Sequence, residues 1–144
     1  MSFLSGMDIS ASGLTAQRMR MDVISENIAN IDTTRTEDGN PYTRKYVVLE
    51  DRNSDFASVL QKSRDGSAYG GVRVAEIGED PSDYKLKYDP TNPDAGADGY
   101  VRLPNVDLNQ EMVDLMAAYR SYEANVTAFG AYKDMAAKTF EIGT

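Results

Sequence analysis

Asp89, Asn92, Asp94 and Asp98-Gly99 gather oxygen-bearing side chains in one sharply turning segment, the arrangement a hard cation such as calcium requires. With Asp94 at the first position of a calcium loop, however, Gly96 falls at the third and Asn105 at the twelfth, so two required ligands are missing and the segment reads as a solvated turn. Glu76, Glu79 and Asp80 place carboxylates near one another for acid-base work, yet acids clustered at a strand end ordinarily form a solvated edge that blocks wrong pairing. Gly66, Gly70 and Gly71 lack the Lys-Ser/Thr of a phosphate loop and open no helical pattern. The chain has neither histidine nor cysteine, which removes the commonest general base, the commonest metal ligand, thiolate nucleophiles and disulfides. No catalytic centre, metal or cofactor is expected.

The residues with a definite spacing are apolar. Leu108, Met112, Leu115, Tyr119, Tyr122, Val126 and Phe129, then Ala136 and Phe140, recur in alternating steps of four and three, interrupted by Lys133. This is the pattern of a coiled-coil seam, and an isolated helix cannot hide it from water, so the segment must pack against a helix of its own chain or of a neighbour. From Leu4 to about Ile31 a second helical pattern appears, with Met7, Leu14, Met21 and Ile28 seven apart and Ile24 and Ile31 in a second row. Gly6 and Gly13, among Ser2, Ser5, Ser10 and Ser12, weaken its first turns, each interior glycine costing about 1 kcal/mol relative to alanine. Fully helical ends would be on the order of 40 to 50 Å long at 1.5 Å per residue.

Between the helical ends, Asp32 to Pro41 is a run of turn formers with a tight turn expected at Asp38-Gly39. Arg44–Glu50, Gly71–Ile77 and Tyr84–Tyr88 read as three short strands, and Phe56–Leu60 as one helical turn. Asp89 to Gly99 holds two prolines and two glycines and is expected to be a structured loop. Asp107 with Gln110 has capping-box spacing and predicts a helix start near Leu108. The expected fold is mainly α with a small β region: two long terminal helices forming an antiparallel coiled coil, with a β-rich, loop-containing middle. Its divisions are an N-terminal helix in 1–34, a linker and small β-rich domain in 35–104, and a C-terminal helix in 105–144.

At 144 residues and 41% hydrophobic content the chain suits one modest folded domain. A formal net charge of −8 argues against a nucleic-acid partner, because phosphate affinity needs clustered Lys and Arg. No stretch approaches the roughly 18 uninterrupted apolar residues of a membrane-spanning helix, and Met1 to Gly6 carries no signal-peptide pattern. Arg18 and Arg20, followed by Asp22 and Glu26, and Arg120 with Glu123 and Asn125, are expected on solvated helix faces or paired with charges of a neighbouring subunit.

The segment from Ser12 to Arg35, centred on Asn27-Ile-Ala-Asn30, resembles the amino-terminal signature of the bacterial flagellar rod and hook family. Asn105 to Leu115 and Tyr119-Arg-Ser-Tyr-Glu-Ala-Asn125 resemble the matching terminal helix of that family. Asp89 to Ala95, Gly99 to Asn105 and the stretch from Lys133 to Gly143 resemble its proximal-rod branch in particular. The broader family often places a Gly-aromatic pair soon after the Asn-Ile-Ala-Asn segment, where this chain has Thr34 to Tyr42, and residues 50–70 take no part in the match. The resemblance implies a structural subunit without catalysis, exported through the flagellum's own type III apparatus and assembled into the periplasmic rod that transmits torque. It further implies contacts with the rod subunits FlgB, FlgF and FlgG, with FliE at the rod base, and with copies of itself. The expected assembly interface is Leu14, Met21, Ile24, Asn27, Ile28 and Asn30 on the first helix, facing Leu108, Met112, Leu115, Tyr119, Tyr122, Val126 and Phe129 on the last. The weak first turns suggest ends that stay labile during export and order in the rod. The rival class is a soluble coiled-coil adaptor that closes into a homo-oligomer of one size.

Overall fold

Helix α1 spans Phe3–Ala29 and helix α2 spans Leu108–Ile142 in a computed structural model that describes residues 3–52, 60 and 70–142. Local chemistry sets the end of α1 and the start of α2. Asn30 closes α1, its side-chain amide donating to the Glu26 carbonyl while its side-chain oxygen accepts from the Thr33 hydroxyl. Asp107 opens α2, its carboxylate accepting the backbone N–H groups of Asn109 at 2.9 Å and Gln110 at 3.3 Å. These satisfy two of the donors a helix start leaves without intrahelical partners.

Those backbone N–H groups hold the Asp107 carboxyl below the usual carboxylate range. A depressed folded-state value means that the stabilisation is present above the ordinary value and is lost as pH falls through the folded one. Asp107→Ala is therefore expected to lower the urea midpoint at neutral pH, by an amount that shrinks towards zero in strong acid. Paired urea titrations across that range check it; an equal loss at all pH values would rule out the charged cap.

The two helices pack side by side and antiparallel. Gly6 sits against Tyr132, Gly13 against Asn125, and Asn27 hydrogen-bonds Glu111, so seven steps forward on α1 match seven back on α2, twice over between the second pair and the third. A Cβ at Gly6 would lie 2.6 Å from the Tyr132 ring and one at Gly13 2.9 Å from the Asn125 amide. The two glycines thus have a second meaning besides weak helix propensity: they admit side chains from the facing helix.

The contact row on α2 is Glu111, Leu115, Ala118, Tyr122, Asn125, Phe129, Tyr132 and Ala136, all buried or half-buried. It shares Leu115, Tyr122, Phe129 and Ala136 with the apolar stripe read from the sequence. Leu108, Met112, Tyr119, Val126, Lys133 and Phe140 of that stripe remain exposed, so α1 packs to one side of the stripe. Asn125, expected on a solvated face, instead stands in the contact row.

The middle forms four strands where three were expected. β1 (Lys45–Asp51) pairs antiparallel with β2 (Val72–Glu79) from Lys45↔Glu79 to Asp51↔Val72, with an irregularity between Val48 and Leu49. β3 (Lys85–Tyr88) pairs antiparallel with β4 (Tyr100–Leu103), a strand not among those expected from the sequence. Its four residues stand between the turn formers up to Gly99 and Pro104, and β3 supplies the pairing that makes them a strand. The expected turn at Asp38-Gly39 is present, with Gly39 at φ +78° and its N–H bonded to the Thr36 carbonyl. The helical turn expected at Phe56–Leu60 lies outside the described residues except for Leu60.

The β1–β2 pair leans on α1. The Ser12 hydroxyl accepts the Val72 N–H at 3.1 Å while donating to the Ile9 carbonyl at 2.7 Å, and Lys45 pairs with Glu26 at 2.7 Å. Val101, Pro104 and Val106, fully buried, fill the core beneath β4 and the entry to α2, while Ala16, Val23, Ile24 and Ala118 fill it between the helices.

Candidate functional site

Asn27 is fully buried and uses its whole hydrogen-bonding capacity. Its amide donates to the Lys45 carbonyl at 2.8 Å and to Glu111 Oε2 at 3.0 Å. Its oxygen accepts the Lys45 N–H and the Tyr42 hydroxyl, each at 2.9 Å. One side chain on α1 thereby holds the first residue of β1, the preceding loop and the first turn of α2.

Glu111 continues the network. The carboxylate is 0% exposed and receives Arg44 Nε on its second oxygen at 2.6 Å. Arg44 also reaches Asp80 at 3.5 Å and Asp114 at 3.7 Å, and its backbone N–H donates to Asn105. Burial alone pushes the Arg44 guanidinium down, but the Glu111 hydrogen bond and the charges of Glu111, Asp80 and Asp114 reverse this and hold it above its ordinary value. Asn105 in turn donates to the Asp80 carbonyl and the Ser82 hydroxyl.

Tyr42, Arg44, Asn105 and Glu111 were not foreseen as a group. The only sequence signal for Glu111 is a charge at a position seven-residue spacing places in a helix contact, and that spacing becomes visible only once Asn27 is known to face it. The bonds of this network are internal and close one structural joint. Asp80, read as a member of an acidic strand end, belongs to it. Asp94 of the acidic loop accepts the Thr34 hydroxyl at 2.7 Å and pairs with Arg35, and Asp89 accepts from Thr91.

The second feature is an uncovered side of the helix pair. Met7, Leu14 and Ile28 each follow the contact residues Gly6, Gly13 and Asn27 by one position; Met112, Val126 and Lys133 likewise follow Glu111, Asn125 and Tyr132. One position is a rotation of about 100° in the same sense on each helix, and in an antiparallel pair that brings both rows to the same side. Met21 and Tyr119 fall in the same rows. Ser12 and Glu26, one position before the contact residues, meet the β1–β2 pair on the opposite flank.

The residues expected to form the interface are thus divided three ways. Ile24 and Asn27 are buried; Leu14, Met21, Ile28, Asn30, Leu115, Tyr122 and Phe129 are half-buried; Leu108, Met112, Tyr119 and Val126 are exposed. Within the chain Leu14, Met21 and Ile28 do not face Tyr119 and Val126 across a seam. The two rows lie beside each other on the uncovered side.

Two family models match the helical ends. Residues 7–35 match "Flagella basal body rod protein", and residues 97–142 match "Flagellar basal body rod FlgEFG protein C-terminal". The chain is 54% identical over 149 aligned positions to the flagellar basal-body rod protein FlgC of Bacillus subtilis, covering 99% of both chains. It is 46% identical to FlgC of Borreliella burgdorferi, covering 94% of this chain and 93% of that one, and 43% identical to FlgC of Aquifex aeolicus, covering 98% and 97%. The chain belongs to the FlgC family of flagellar basal-body rod proteins.

A member of the FlgC family is a structural rod protein of the flagellar basal body, not an enzyme, and the flagellar resemblance read from Asn27-Ile-Ala-Asn30 and the terminal helix is correct. The two matched segments meet in the Asn27–Glu111 bond, and Tyr42 and Arg44 lie between them in sequence. The FlgC rod role requires association with other basal-body rod components, and among the described residues no helix is long and apolar enough to cross a membrane.

Burial, with the charges of Glu26, Glu111 and Glu79, pushes the Tyr42 phenol up to about 12 from its ordinary 10.0. Because the folded state holds this proton more tightly than the unfolded one, stability is unaffected below the ordinary value and falls as pH rises from there through the folded value. Tyr42→Phe is expected to lose about 1 kcal/mol at neutral pH through the missing hydrogen bond, and to show a shallower alkaline decline than the parent. Urea unfolding at stepped alkaline pH measures both; parallel declines would disprove the assignment.

Proposed function

We propose that the uncovered side of the helix pair is the surface through which the chain packs into the rod. The observation that carries this is the exposed row Leu108, Met112, Tyr119 and Val126 on α2, with Tyr119 at 54% and Met112 at 52%, lying beside the half-buried row Met7, Leu14, Met21 and Ile28 on α1. An apolar face spanning two helices is unstable in water and is buried when equivalent subunits stack. Repetition of one such contact around a tube stiffens it, since close-packed interiors resist deformation.

The helix pair itself is an antiparallel coiled coil on this reading, supported by the matching seven-residue steps of its contacts. The assembled object is the proximal rod, the periplasmic part of the drive shaft. FlgB, FlgF and FlgG, FliE at the base and further copies of this chain are the neighbours, and delivery is through the flagellar export apparatus. The glycine-bearing first half of α1, joined to α2 through Gly6 and Gly13, is the end that orders on assembly, while the Asn27–Glu111 end is the fixed joint.

Deleting the gene tests the role directly. Paralysed cells whose basal-body preparations lack rods are expected; normal rods and swimming would overturn it. Circular dichroism of the dilute chain bears on the ordering step: helicity that rises on assembly supports it, and full helicity in the monomer counts against it.

A further inference from the structure

A second uncovered surface lies on the β3–β4 pair. Leu86 stands opposite Arg102 and Tyr88 opposite Tyr100, so all four side chains share one face, while Val101 on the other face is buried in the core. Leu86 is 67% exposed and Tyr88 65%, and the Tyr88 and Tyr100 rings meet edge to face at 5.2 Å. Arg102 is exposed and has no ion pair or side-chain hydrogen bond among the described residues. A small sheet with a rigid aromatic pair, an aliphatic side chain and one unpaired cation has the composition of an interface centre.

Its chemical complement is on α2. Met112, Met116, Tyr119, Glu123 and Val126 follow one another in steps of four, three, four and three, so Glu123 stands inside the exposed apolar row. Glu123 interacts with Tyr119 one turn back and has no cationic partner among the described residues. From Met116 to Glu123 the helix rises about 10 Å, comparable with the roughly 7 Å between Leu86 and Tyr88 along a strand, and the methionines adapt to an aromatic surface.

We infer that the β3–β4 face of one copy docks on this α2 row of a second copy, with Arg102 of one paired to Glu123 of the other and the Tyr88–Tyr100 pair against Met116 and Tyr119. The inference rests on the assembly role proposed above and names what covers the α2 half of the uncovered side. Two different patches meet, so the contact is heterologous and each copy offers a free patch to the next, the geometry that builds a ring or an open helical array. In a chain of net charge −8, where copies repel, one arginine placed against one glutamate sets the register.

The chain contains no cysteine, which makes disulfide trapping unambiguous. Cells expressing a Tyr88→Cys copy together with a Tyr119→Cys copy are expected to yield, on mild oxidation of isolated basal bodies, a linked pair of the two copies, with at least tenfold less from either variant alone. Separately, Arg102→Glu and Glu123→Arg, both at exposed positions, are each expected to leave the melting temperature of the chain unchanged and to cut basal-body yield about tenfold, with the double reversal restoring it to within twofold. Absence of the mixed pair, a link from Tyr88→Cys to a different rod subunit, or a double reversal no better than the single ones would overturn the contact. These failures are distinct from failure of the assembly role, which requires normal rods in the gene deletion.

Discussion

Val126→Asp is expected to leave the isolated chain folded and to abolish rod assembly. Val126 is 47% exposed on the uncovered side of α2, so in the monomer the new carboxylate stays hydrated and the cost is within about 0.5 kcal/mol, as for other surface changes. In the assembled rod every copy would bury that carboxylate against an apolar neighbour, and an uncompensated buried charge costs several kcal/mol at each contact. Because the contact repeats, basal-body yield and swimming should fall to background. Leu115→Asp supplies the contrast: Leu115 is half-buried in the row that faces α1, so aspartate there should lower the stability of the chain itself by about 3 kcal/mol. Urea unfolding of each purified variant, with soft-agar swimming and electron microscopy of basal bodies, separates the two effects. Rods of normal yield built from Val126→Asp would remove this face from the interface.

Arg44→Met is expected to be the most destabilising single change in the joint. It removes the guanidinium from Glu111, whose carboxylate is 0% exposed and would retain only the Asn27 amide. Removing one partner of a buried ion pair costs about 3–5 kcal/mol, because the remaining charge is stranded away from water. A double-mutant cycle gives the decisive comparison. Glu111→Met in the Arg44→Met background should restore part of the loss, since two apolar side chains of similar length replace the pair without stranding a charge. If the double variant is less stable than Arg44→Met alone, Glu111 is not held there by Arg44. The same experiment tests whether the β-rich middle and the helices unfold together, because Arg44 begins at the edge of β1 and ends against α2.

Much of the fold was legible because its signals are local. The helix start at Leu108 follows from the Asp107 carboxylate within reach of two backbone N–H groups, and the turn near Gly39 from a residue that tolerates positive φ. β4 was not legible: Tyr100–Leu103 sits between the turn formers up to Gly99 and Pro104 and acquires its identity from β3. Ser12 was read as a weak helix former, and its hydroxyl proves to hold the Val72 N–H, a partner 60 positions away that no window on the sequence contains. The flagellar signature was recognisable in Asn27 and Asn30, yet the physical work of the two asparagines differs. Asn30 closes its own helix, whereas Asn27 joins α1 to β1, Tyr42 and α2.

The sequence by itself determined that this chain is two long amphipathic helices around a β-rich middle, that it has no residues for the commonest catalytic or metal chemistry, and that its ends carry the marks of a flagellar rod subunit. The first two properties are written in composition and in periodicities shorter than one helix, and the third is a resemblance carried by Asn27-Ile-Ala-Asn30 and the terminal helix. Only the tertiary structure decided how the two helices are turned towards each other. A heptad pattern tells which residues share a face, but an α-helix can rotate by one position at small cost to its own backbone, and the choice falls to contacts between distant segments. Here Asn27, Glu111 and Arg44 close a buried polar joint, and Gly6 and Gly13 make room for Tyr132 and Asn125, so the helices meet along that row. The part of the apolar stripe formed by Met112, Tyr119 and Val126 is left on the outside, one position away, available to a neighbour.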